Sequence, residues 1–255
     1  MTKDTDNRDR QSAPVWPQLG NAGVDGILLR FSDRLSEPAN RAALAFRAAL
    51  EAAMWPEISE SATSLVSVYL RFDPVEHDRD RLIARLSEMA GRQDWFAAPL
   101  PPGRRLWRIP TAYGGAMAPQ LAEAADAAGL TPEAAVAELS TTRVRVQTLG
   151  FAPGQPYLGE LPPNWNIPRQ SALTPRVPVG ALVVAIRQLV LFSASTPTGW
   201  RHVGQTAFRA FRPESDTPFV LKPGDEVVFE PAAADDIAAR IGDDGDGGAR
   251  SELLP

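Results

Sequence analysis

The sequence predicts an α+β protein, with a small N-terminal α/β domain followed by a β-barrel that carries two helices. Three observations predict it. Strand-like runs alternate with amphipathic helices over the first 98 residues, short strands parted by Pro and Gly turns fill the chain from Arg143 onward, and a proline-rich hinge separates the two. A chain of 255 residues, 44% hydrophobic and 22% charged, has the size and composition for two globular cores.

Residues 1–19 and 242–255 lack apolar periodicity and read as disordered tails. Between them, Ile27 to Phe31 reads as a strand. Ser36 is then placed to cap a helix in which Ala42, Phe46, Ala49, Leu50 and Ala53 share one face. Leu65 to Phe72 is rich in β-formers, and Arg79 to Gly91 reads as a second helix, with Leu82, Ile83, Leu86 and Met89 inward and Gly91 at its end. These elements make the first domain, residues 20–98.

Ala97 to Gly103 is a stiff linker, because each proline fixes its own φ and extends the residue before it. The second domain, residues 104–232, opens with a strand at Leu106 to Pro110. Next come an Ala-rich helix, Pro119 to Gly129, and a short helix started by Thr131 and Pro132. The barrel strands are then Val144 to Thr148, Ala181 to Ile186, Leu189 to Phe192, Ala207 to Phe211 and Glu226 to Glu230.

Composition excludes several chemistries. Cysteine is absent, which removes disulfides, thiol nucleophiles and thiolate metal sites. His77 and His202 are the 2 histidines, too few for a three-His metal centre, so no metal is expected. Lys3 and Lys222 are the lysines, and neither stands in a P-loop. A net charge of -5 argues against nucleic acid as a partner. The longest apolar stretch, Val177 to Ile186, is too short to span a bilayer, and the charged N-terminus carries no export signal, so a cytoplasmic protein without a membrane partner is expected.

The densest motif is Leu149 to Gly159, LGFAPGQPYLG, whose glycines and prolines dictate the backbone path of a functional loop. Tyr113, Gly114 and Gly115 lie before a helix and form a candidate anion-binding turn. Arg169 and Arg176 stand beside prolines where a guanidinium can fork onto a carboxylate. Asp225 and Glu226 are adjacent and point to opposite faces of a strand, so they are no catalytic pair. His202 reads as a packed or surface residue on the face of Trp200, and His77 as solvent-exposed. Phe192, Trp200 and Phe211 are candidate aromatic anchors for a partner.

The ordered series GFAPGQPYLGEL, Ile167-Pro168-Arg169, Val177-Pro178-Val179-Gly180, Gln188, Thr196 to Trp200, Val203 to Thr206 and Pro223-Gly224-Asp225 resembles the family of the 5-oxoprolinase B subunit, also called allophanate hydrolase subunit 1. That family includes a sporulation kinase inhibitor and a lobe of the urea carboxylase carboxyltransferase domain. The resemblance runs upstream through IPTAYGG and GVDGILLRFSDRLS. It implies that the barrel is cyclophilin-like and that an ATP-dependent site for hydrolysing a cyclic amide is shared with a larger partner subunit. On that reading Phe151, Pro153, Gly154 and Tyr157 form the pocket wall, Arg169 binds a carboxylate, and Gln188 donates to the polarised carbonyl. Departures are concentrated near the pocket. Gln155 stands where the family usually has Phe, Glu160 replaces a closing Gly, and Leu173-Thr174 replaces a second Pro-Arg. These losses keep open an alternative: a non-catalytic interaction or inhibitor protein of the same family, such as a kinase inhibitor.

Overall fold

The computed structural model describes residues 15–254. Strands β1 (Gln18–Asn21), β2 (Gly26–Arg30), β3 (Ile58–Ser64) and β4 (Ser67–Phe72) pair antiparallel throughout in the order β1-β2-β4-β3. Alternation sends Ile27, Leu29, Val68, Leu70 and Phe72 to one face, which α1 (Glu37–Ala52) and α2 (Arg79–Ala90) cover. Both helices are capped at the residues their sequences offer: Ser36 Oγ accepts from the Ala39 N–H and Asp78 Oδ1 from the Arg81 N–H. Ala42, Phe46 and Leu50 are buried as the spacing predicts. Ala53 is exposed instead, because α1 ends at Ala52 and the chain turns away through Met54 with φ 45°. Trp95 closes this core edge-on against Phe46, with ring centroids 5.0 Å apart and its indole N–H on the Ala90 carbonyl.

The second part contains β5 (Arg105–Tyr113), β6 (Val144–Leu149), β7 (Pro156–Gly159), β8 (Thr174–Val177), β9 (Ala181–Ala185), β10 (Gln188–Leu191), β11 (Thr196–Thr198), β12 (Arg201–Gln205), β13 (Glu226–Pro231) and β14 (Arg250–Leu253). A ring of 7 strands in the order β12-β9-β10-β7-β6-β13-β5 closes through a β5–β12 pairing, so the predicted barrel is present. Its interior holds Ile109, Val144, Val146, Leu158, Leu182, Val184, Leu189, Val203 and Phe229. Residues of α3 (Leu121–Ala127) and α4 (Pro132–Thr141) join that core.

Asp225 ties the turn before β13 to β5. Its carboxylate accepts from the N–H groups of Arg105 and Lys222 and from the Trp107 indole, and burial pushes its pKa up. Glu226 points the other way, to Arg104 and Arg143, as two adjacent strand residues must.

The structure also differs from the sequence reading in the following places. A third barrel-side helix, α5 (Ala234–Arg240), buries Ile237 against Ala112 and Ala207. A single apolar anchor in seven residues leaves no periodicity to read. Ala207 to Phe211 is not a strand; Phe211 makes an isolated bridge with Phe219. The stretch 242–255 is not a tail throughout, since β14 pairs with β5 and Arg212 holds the Gly/Asp turn through the Gly245 carbonyl and Asp246. Likewise β1 begins at Gln18, inside the N-terminal stretch read as disordered, while residues 1–14 of that stretch lie outside the described residues. No helix among the described residues is long and apolar enough to cross a membrane.

Candidate functional site

Strand β9 and residues Leu189 to Leu191 of β10 are apolar on both faces. Their inner residues fill the barrel, and their outer residues Ala181, Val183, Ala185 and Val190 form a separate cluster with Phe192, Val177 and Trp200. Here β8 and β11 form an antiparallel ribbon beside that outer cluster, to which β8 contributes Val177. A cleft of about 380 Å³ opens beside the ribbon on this outer face. Phe151, Tyr157, Phe192 and Trp200 supply its aromatic lining, and Gln155, Arg169, Gln170 and Thr198 its polar lining. That volume lies within the range for small-molecule sites.

The loop before β7 is shaped by its own backbone. The Gly150 N–H donates to the Gln155 carbonyl and the Gln155 N–H to that of Ala152. Gly154 has φ 66°, and a Cβ there would lie 2.9 Å from the Phe211 Cβ, so no side chain fits. Phe151 also adopts a left-handed conformation, φ 68°, with its ring 77% exposed at the cleft. Non-glycine residues rarely occupy that region unless the surroundings hold them there.

Arg169 stands exposed at the cleft with its guanidinium 5.4 Å from the Trp200 ring centroid, and among the described residues it makes no ion pair. Trp200 in turn meets Tyr157 edge-on at 6.1 Å. The segment carrying Arg169 is pinned from three sides. Arg201 Nη1 donates to the Pro168 carbonyl, the Gln170 N–H to the Gly199 carbonyl, and Gln170 Nε2 to the Trp200 carbonyl. Gln170 Oε1 accepts from Gln120 Nε2, and Gln120 Oε1 from the His202 N–H, which links the cleft to α3 and β12. His202 itself is buried, and burial pulls its pKa down, so the imidazole is neutral at neutral pH.

Of the residues singled out from sequence, Phe151, Tyr157 and Arg169 meet in the cleft. Pro153 and Gly154 shape the loop without lining it. Gln188 lies elsewhere: it is buried, pairs with Ala185 and Gly159, and gives its amide N–H to Gln147 Oε1. It shares a strand face with Val190, which does line the cleft, and two residues of rise separate them. At the turn of Tyr113, Gly114 and Gly115, two donors are already engaged. The buried Tyr113 hydroxyl donates to the Phe229 carbonyl and the Gly114 N–H to that of Val203. Phe192 and Trp200, expected as surface anchors, are buried because they pack with Val177, Val183 and Val190 in the outer cluster at the base of the cleft, and Phe211 is half-buried. The lining residues that sequence reasoning missed are Gln155, Gln170, Leu173, Val190 and Pro197 to Gly199. Gln155 and Leu173 carried a signal, their departures from the family pattern, and Pro197 to Gly199 stood within a resembling motif; Gln170 and Val190 carried none.

The lining contains no carboxylate, histidine or lysine. No group of three or more metal-ligating residues occurs among the described residues. Lys222, the lysine among the described residues, sits in the Asp225 turn and not in a phosphate-binding loop.

Fold and cleft together define a class: a chain with an antiparallel sheet under two helices, joined to a closed barrel whose outer cleft lacks a complete set of catalytic groups. The chain belongs to the family of the carboxyltransferase domain, subdomains C and D, whose model matches residues 17–221. It is 30% identical to the 5-oxoprolinase B subunit of Bacillus subtilis over 83% of this chain and 91% of that one. The crystal structure of TTHA0988 matches with TM-score 0.69 at 35% identity, covering 82% of this chain and 40% of that chain, so this protein spans well under half of that relative. The urea amidolyase of K. lactis shares the fold, with TM-score 0.71 at 16% identity over 96% of this chain and 17% of that chain.

Proposed function

We propose that this chain is a subunit of an ATP-dependent amide hydrolase of the 5-oxoprolinase type, with a larger partner subunit completing the site. The observation that carries this reading is a cleft with an arginine that makes no ion pair among the described residues and lies over Trp200, aromatic walls, and no carboxylate, histidine or lysine in its lining. In it Arg169 forks onto the carboxylate of a cyclic amide, Tyr157 and Trp200 pack against the ring, and the Gln120–Gln170 bonds hold the arginine-bearing segment in place. The activation chemistry, ATP included, is assigned to the complex. Gln188 receives no role in the reaction, because its amide is engaged with Gln147.

The test is co-expression with the larger subunit. The complex should hydrolyse ATP only when 5-oxoproline is present, and the chain alone should be silent; turnover by the isolated chain would overturn the shared site. In the active complex Arg169→Ala should raise KM roughly 10- to 150-fold, the loss of one charged hydrogen-bonding partner. An unchanged KM removes Arg169 from the site. The lack of a base in the lining also favours a second reading, a non-catalytic interaction or inhibitor protein such as a kinase inhibitor. A complex that forms but never turns over 5-oxoproline supports that one.

A further inference from the structure

Strand β14 lies outside the ring of barrel strands. It pairs with the first half of β5, from Arg250 opposite Arg108 to Leu253 opposite Arg105, while β12 takes the other end of β5. Its far edge meets no strand among the described residues. The phase of the ladder fixes which groups that edge presents. The Leu254 N–H donates to the Arg104 carbonyl, so the alternate residues Glu252 and Arg250 turn their backbone groups to β5, and Ser251 and Leu253 turn theirs outward. A row of free N–H and C=O groups is a template for another strand, which proteins normally blunt with a bulge, a proline, a lysine or a covering element. Residues Arg250 to Leu253 have no bulge, proline or lysine, and Leu253 is 66% exposed. The edge strand β3 differs: it carries a bulge between Ile58 and Glu60, and its Thr63 carbonyl is taken by the Thr148 hydroxyl.

We propose that the free edge of β14 docks a second copy of this chain, the two β14 strands pairing antiparallel about a two-fold axis at Ser251. Charge complementarity selects that register. With Ser251 opposite Ser251 of the second copy, Arg250 stands opposite Glu252 of the second copy, and the axis repeats the pair. Centring on Arg250 or on Glu252 sets like charges against each other, and centring on Leu253 puts Leu254 opposite Glu252. The outward backbone groups of Ser251 make the hydrogen-bonded pair, so Arg250 and Glu252 take the flanking positions, where opposed side chains come closest. Both have capacity for the contact. Glu252 is exposed and makes no ion pair among the described residues, and Arg250 reaches Glu230 through Nη2, with no partner for Nε or Nη1 among those residues. Such a contact closes at two copies and continues the sheet from one barrel into the next. It shares no residue with the cleft lining, so it stands independently of what the cleft binds.

The experiment is sedimentation velocity of the full chain from micromolar to submillimolar concentration, with each variant verified as folded by its thermal transition. Wild type should pass from monomer to dimer without larger species. Glu252→Arg should weaken the dimer about 10- to 100-fold, because both cross-strand pairs become arginine against arginine. Ser251→Pro should abolish it, since the ring removes an outward N–H that β5 does not use. Arg250→Glu alone should be as weak as Glu252→Arg, yet a mixture of these two single variants should form a heterodimer, with glutamate and arginine opposed at both pairs. A chain that stays monomeric throughout, a dimer that survives Ser251→Pro, or a dimer indifferent to Glu252→Arg would each overturn the proposal.

Discussion

His202 shows how one buried side chain couples the outer barrel face to pH. Burial holds its imidazole below the usual value near 6.5, and the unfolded chain keeps the ordinary value. Below that pH the unfolded state therefore binds a proton that the folded state resists. The stability His202 provides is complete above pH 6.5 and is lost as pH falls towards the depressed folded value. Denaturant titrations from about pH 7.5 to 5 should show a smaller loss of stability in His202→Gln than in wild type. Equal slopes would mean that the imidazole is solvated. The sequence left His202 as a packed or surface residue on the face of Trp200, and the structure buries it. Its link through Gln120 to the arginine-bearing segment was not legible, because Gln120 lies 82 positions away in the chain.

At the scale of elements, the loop ahead of β7 owes its path to Gly154. Ala there meets both a positive φ and the Phe211 Cβ at 2.9 Å. Gly154→Ala should cost about 1–3 kcal/mol in chemical denaturation, and the cleft should bind ligand less well because Phe151 and Gln155 ride on the same turn. A variant as stable as wild type would show that the loop relaxes freely. The long amphipathic elements α1, α2 and β4 were legible, since apolar spacing and caps such as Ser36 and Asp78 act locally. The strands β7, β8, β11 and β14 were not: each has four residues or fewer, and three of them carry proline. Pairing with distant partners makes them strands, and propensity has little part in it.

For the whole molecule, the surface around the cleft exposes apolar groups that the fold itself leaves uncovered. Phe151 is 77% and Leu173 66% exposed. On the subunit reading these cover the partner contact, whereas Trp200, 7% exposed, belongs to the outer core. Phe151→Ser combined with Leu173→Ser should weaken heteromer formation on size exclusion and leave the thermal transition of the single chain nearly unchanged. Trp200→Ala should lower that transition, as core aromatic truncations cost roughly 3–5 kcal/mol. Loss of association from Trp200→Ala alone, at full stability, would reverse the two assignments.

The sequence by itself determined the α+β class, the closed barrel, the family, and the loop and arginine that later met in one cleft. Those follow from local periodicity, φ restriction and an ordered run of motifs, all of which are written along the chain. Tertiary structure alone decided that Phe192 and Trp200 are covered, that Gln188 is spent on Gln147, and that the Gln155 oxygen is buried without a donor among the described residues. Burial and hydrogen-bond satisfaction depend on neighbours brought together from distant parts of the chain, such as Gln147 and Gln188 across the barrel wall, and no local pattern encodes them.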